Sequence, residues 1–149
     1  MTADENVAGL LHELDAVHRH LRVLLSGKDE ALLAERPPNG KWSVLENVRH
    51  MLFAEQAYLG RFGQEWSSLG FTPQTMLHAK KLHTDGTAPT VAAVLTAWET
   101  VHAHTRAALA EQDTDEVRHR VVRHLKHQRR HITIIERLLR ASDRQRARG

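Results

Sequence analysis

The chain has 149 residues, 41% of them hydrophobic and 26% charged, which is enough for one domain with a buried core. It carries a formal net charge of +3, 12 histidines and no cysteine, so a thiolate nucleophile, a disulfide or an iron–sulfur cluster of its own is excluded. Any metal must be held by His, Asp or Glu, and any thiol chemistry must draw its sulfur from outside. No apolar run approaches the roughly 20 residues that span a membrane. The start, Met-Thr-Ala-Asp-Glu-Asn, is too acidic for a secretion signal, and the expected location is the cytoplasm. The pI of about 9.7 comes from arginines spread along helices and gathered in the tail from Arg140 to Arg148, without stacking aromatics beside them. No nucleic acid and no membrane is expected as a partner.

No β-type alternation is sustained, and four long segments carry helical periodicity. The first covers residues 6–26, with Val7, Leu10, Leu11, Leu14, Val17, Leu21 and Leu24 on one stripe and Gly27 as its stop. Residues 29–36 read as a short helical turn before the break Pro37-Pro38-Asn39-Gly40. The second helix starts at the capping box Ser43-Val44-Leu45-Glu46, continues through Leu45, Val48, Leu52, Ala54, Tyr58 and Leu59, and is expected to end near residue 66. Residues 67–87 are the least regular stretch, with room for a short helix at 74–81. A connection of that length inside one domain suits a crossover that lets helices two and three run parallel. The third helix begins near Pro89 and carries Val91, Val94, Leu95, Trp98, Val101, Thr105 and Leu109. After a break at 112–114, with a weaker capping signal from Asp113 to Glu116, the last helix covers 115–141 with Val117, Val121, Leu125, Ile132, Ile135, Leu138 and Leu139. The basic tail, 142–149, is expected to fray. The sum is an all-α, single-domain four-helix bundle over residues 1–149, up-down-down-up, with a long crossover between helices two and three.

The chemistry-bearing pattern is the histidine comb His124-Leu-Lys-His127-Gln-Arg-Arg-His131 on the last helix. At about 100° per residue, His127 and His131 point about 40° apart, one turn from each other. Two imidazoles so placed can chelate one transition metal, and a third from a facing helix would leave coordination positions open for water or substrate. His50, two turns beyond the cap of the second helix, is the candidate for that third position. His124 lies beside the same face. His18 and His102 lie near the apolar stripes of helices one and three and are candidates to line a central pocket, and Glu46 is the capping-box partner next to it. The competing reading is a solvated basic face, since Lys126, Arg129 and Arg130 share the segment.

The stretch from Asn39 to Leu52 contains Trp42, Ser43, Glu46 and His50 in the spacing W-S-x-x-E-x-x-x-H, and the segment from Val121 to Ile132 contains His127 and His131 as H-x-x-x-H. In this the chain resembles the DinB-like superfamily, which includes the bacillithiol and mycothiol S-transferases. The resemblance covers nearly the whole chain. It implies that His50, His127 and His131 ligate a divalent metal, zinc or nickel foremost, with Trp42, Ser43 and Glu46 as structural parts and His124 as a neighbour in the pocket. One position departs: three residues after the last histidine, where the family often has glutamine, this chain has Ile134.

The expected function is therefore a metal-dependent transferase in which a small-molecule thiol attacks an electrophilic substrate, as in detoxification or stress response. Arg49 and Arg130 are candidates to hold carboxylates of the thiol. A hydrolase on the same three histidines is the second reading; it needs a base, and Glu46 and Glu55 are the carboxylates near His50 in sequence. A non-catalytic metal-binding scaffold, as a homodimer, is the third.

Overall fold

The computed structural model of the chain describes residues 6–59 and 89–148. Among these the regular structure is entirely helical: α1 (Val7–Leu25), α2 (Glu30–Ala34), α3 (Val44–Leu59), α4 (Val91–Leu109) and α5 (Asp115–Arg148). No helix among the described residues is long and apolar enough to cross a membrane. The expected crossover, the short helix at 74–81 and the end of the second helix near residue 66 lie outside the described residues.

Each helix starts where a side chain can satisfy its orphan N–H groups. The Asn6 side chain accepts from Gly9 N at 2.9 Å, and Asp29 accepts from Ala31 N at 2.9 Å. Two starts differ from the sequence expectation. Pro89 stays outside α4, because the Thr90 hydroxyl caps it by accepting from Ala93 N at 3.1 Å. Thr114, not Asp113, caps α5, accepting from Val117 N at 3.2 Å. Asp113 is turned to another use: it accepts from Val7 N at 3.1 Å and ties the α4–α5 turn to the start of α1. Glu30 makes a similar long-range link from α2, its two carboxylate oxygens accepting from Val91 N and Ala92 N at 2.7 and 3.0 Å. α1 gives way to a turn at Gly27, whose φ of 72° is one that glycine tolerates without strain. The tail also departs from expectation: α5 continues to Arg148, through helix-favouring Arg, Gln and Ala with no glycine or proline before residue 149, and with an Arg146–Asp143 ion pair one turn apart.

α3 packs against α5 and α4, and α1 packs against the same two helices; α2 leans on α3. Two apolar clusters fill the space between them. One holds Leu21 and Leu25 of α1, Val44, Val48 and Leu52 of α3, Val91, Val94 and Trp98 of α4, and Ile132 and Ile135 of α5. The other holds Val7, Leu10, Leu11 and Leu14 of α1, Leu59 of α3, Leu109 of α4, and Val117, Val121 and Leu125 of α5. Each of these four helices places at least one buried polar residue between the two clusters in sequence: His18 on α1, Glu55 and Gln56 on α3, His102 and Thr105 on α4, Gln128 on α5. α1 and α5 meet the clusters in one order, α3 and α4 in the opposite order.

Candidate metal centre

The start of α3 is built as the capping box requires. Ser43 Oγ accepts from Glu46 N at 3.1 Å, and Ser43 N donates to Glu46 Oε1 at 3.0 Å. Glu46 is 2% exposed and also receives Arg36 through two nitrogens, Nε at 2.9 Å and Nη2 at 2.6 Å. Its carboxylate is thus committed to fixing the 36–46 segment. One turn on, the buried Asn47 donates from Nδ2 to Ser43 O at 2.9 Å. This firm start aims His50 at α5.

The structure brings His50, His127 and His131 together, each half-buried, with one ring nitrogen from each all within 4.8 Å of one another. His127 Nε2 lies 3.3 Å from His50 Nε2. Two imidazole nitrogens about 2.0–2.1 Å from one tetrahedral zinc would lie about 3.3–3.4 Å apart, so the spacing fits a shared ion. The hydrogen bonds behind the rings point the same way. Asn47 uses its amide nitrogen on Ser43 O, which leaves Oδ1 to accept from His131 Nδ1 at 2.9 Å. Gln128, fully buried, donates from Nε2 to Met51 O at 3.1 Å, which leaves Oε1 to accept from His127 Nδ1 at 3.1 Å. Both amides therefore put the proton on Nδ1 and the lone pair on Nε2, the arrangement a metal-ligating histidine uses. Burial, then the neighbouring His127 and His50, pushes the His131 pKa down to about 3. Burial, with His50, His124 and Arg130 nearby, also lowers that of His127 despite the Gln128 hydrogen bond. The rings are held neutral, as ligation demands.

Trp42 and Tyr58 flank the cluster, the Trp42 ring 5.2 Å from that of His50 and the Tyr58 ring 5.7 Å from that of His127. His124 lies behind it, fully buried, stacked on His127 at 6.4 Å, with its Nε2 3.8 Å from Glu55 Oε1, beyond hydrogen-bond distance. Of the two arginine candidates, Arg49 is buried and in the field of Glu46, whereas Arg130 is exposed.

A profile of the DinB superfamily matches residues 13–141, a span that takes in the α3 motif and the α5 histidines alike. The chain belongs to the DinB superfamily. No curated protein and no solved structure matches it.

This DinB-superfamily chain gathers its other two candidate histidines elsewhere. His102 Nδ1 faces both oxygens of Glu55, at 3.3 and 3.2 Å, and its Nε2 is 2.5 Å from Asp15 Oδ1. Arg106 pairs with the second oxygen of Asp15. His18 stacks on His102 with ring centroids 5.4 Å apart and meets the edge of Trp98 at 4.8 Å. Burial opposes charge on His102, but Glu55 and Asp15 outweigh it and raise its pKa. Burial likewise opposes charge on Glu55, yet the His102 hydrogen bonds and the His124 ring hold its pKa at about 2. His18 is held down at about 4, by burial first and by His102 second. The sequence analysis does not single out Asn47, Gln128, Asp15 or Arg106, and it places Tyr58 only on an apolar stripe. Asn47 alone had a readable signal, four residues after the Ser43 cap and three before His50 on the same helical face.

Proposed function

We propose that this DinB-superfamily protein holds one divalent ion, zinc or nickel, on His50, His127 and His131, and transfers a low-molecular-weight thiol to an electrophile. The observation that carries the reading is the pair of Nδ1 protons anchored on amide oxygens, which leaves the Nε2 lone pairs of His127 and His131 available to one ion. When bound, such an ion supplies the Lewis acidity that ionises a thiol at neutral pH. The chain's own part is positional: Asn47 and Gln128 fix two ligand rings, and Trp42 and Tyr58 close the flanks. The thiol's proton passes to solvent, its sulfur bonds to the electrophilic carbon, and the leaving group departs with the bonding pair. With no cysteine in the chain, that sulfur comes from outside. The cluster order along the helices supports a four-helix bundle, up-down-down-up, with α3 and α4 parallel across the long connection.

Hydrolysis is the weaker reading on a specific ground. It calls for a nearby general base, and the two carboxylates nearest His50 in sequence are engaged: Glu46 is held by Ser43 and Arg36, and Glu55 by His102. The decisive experiment follows S-aryl product from 1-chloro-2,4-dinitrobenzene and a panel of small thiols, with zinc- or nickel-loaded protein against chelator-treated protein. Thiol- and metal-dependent product, absent in His50→Ala, is the expected result. One metal per chain without turnover for any thiol would favour the scaffold reading instead.

A further inference from the structure

Next to the three histidines runs a groove of about 480 Å³ between the 37–42 loop and α5. Its walls are apolar, made by Pro37, Trp42, Ile134 and Leu138. It shares Trp42, Asn47 and His131 with the metal centre, so an occupant touches the ring of a candidate ligand. Among the described residues that line it, Lys41 is the one permanently charged side chain; it is exposed, and no carboxylate of that lining opposes it. Ile134 matters most to this character, because a polar side chain at that position would break the continuous apolar wall.

We propose that this groove binds the electrophilic substrate, and that the substrate is a hydrophobic carboxylate. The proposal rests on the transferase reading for what happens next, though not for the binding itself. Flat or branched hydrocarbon lies against Trp42, Ile134 and Leu138, where burial of apolar surface drives association. The acidic end pairs with Lys41 at the solvent edge and excludes cationic molecules of the same shape. The thiol, a water-soluble carrier, is a poor occupant, since its polar groups would go unpartnered against these walls. Groove and metal centre thus divide the two substrates: sulfur at the histidines, hydrocarbon along α5.

The test is calorimetric titration of the full chain, both zinc-loaded and chelator-treated, with 2-naphthoate, 2-naphthalenemethanol and 2-naphthylmethylamine. Naphthoate is expected to saturate at one per chain with or without zinc, more tightly than the alcohol, with the amine weakest. Ile134→Trp, which fills the groove at a half-buried position, abolishes saturable binding, and the milder Ile134→Gln weakens it. Lys41→Ala brings naphthoate to the affinity of the alcohol, a loss of about threefold for an exposed charge pair. Zinc per chain stays unchanged in all three variants. Naphthoate binding that ignores Ile134→Trp, that needs zinc, or that the amine matches would overturn the proposal. Binding in the expected pattern by a chain that takes up no metal would sink the transferase reading and leave the groove standing.

Discussion

Two groups of histidines meet opposite fates in this protein: His50, His127 and His131, half-buried, and His18 and His102, buried. His127 and His131 face amide oxygens, which take one ring proton and carry no charge, so each ring stays neutral with a lone pair to give. His102 faces a carboxylate on each side, so both ring nitrogens donate and none is left for a metal. The residue type is the same, and burial opposes charge on His102, His127 and His131 alike. The partner decides: an amide prepares a ligand, and a carboxylate pair makes a buried cation that links α1, α3 and α4.

The largest effect that would sharpen this contrast is structural. Glu55→Ala leaves His102 without its main counter-charge and is expected to destabilise the fold by about 3–5 kcal/mol, read by thermal or urea unfolding. Zinc stoichiometry in the folded fraction should not change; loss of metal there would join the two groups into one site. Next come the amides. Asn47→Ala or Gln128→Ala should weaken zinc binding about 10–100-fold in competition with a chelator, with the ligands themselves intact. Equal affinity in both variants would remove the amides from the account.

The contrast also has a pH signature. Because the folded pKa of His102 is raised, its contribution is complete below 6.5 and fades as pH climbs through the raised value. Glu55, held at about 2, contributes above its ordinary 4.5 and loses that contribution as pH falls toward 2. The destabilisation caused by Glu55→Gln should therefore be greatest near pH 6 and shrink on the alkaline side, seen as converging melting curves. The smallest effect belongs to the cap: Ser43→Ala should cost about 1 kcal/mol by loosening the turn that carries Asn47 and His50, with metal stoichiometry unchanged.

The three converging histidines were legible in the sequence because helical spacing aligns His127 with His131, and because the motif ending at His50 names its partner helix. Their supporting amides were not: Gln128 in a basic run looks like any solvated residue, and its burial depends on Met51 of another helix. The stripes point His18 and His102 toward a central pocket, whereas the carboxylates that hold His102 sit 47 and 87 residues from it in the chain, on helices whose facing sides no local pattern specifies. Apolar stripes and caps mark the helices in the sequence; the first-turn signal at Pro89 and the capping signal at Asp113 each give way to a threonine one residue later. The extension of α5 to Arg148 was missed because the charged tail lacks an apolar stripe, the signal by which the helix was traced.

The most direct test of the central claim is metal content by elemental mass spectrometry on zinc-incubated, gel-filtered wild type, His131→Ala and His102→Ala. Wild type and His102→Ala should each hold close to one zinc per chain, and His131→Ala should hold none. Zinc retained by His131→Ala but lost from His102→Ala would place the metal in the carboxylate network and contradict the account.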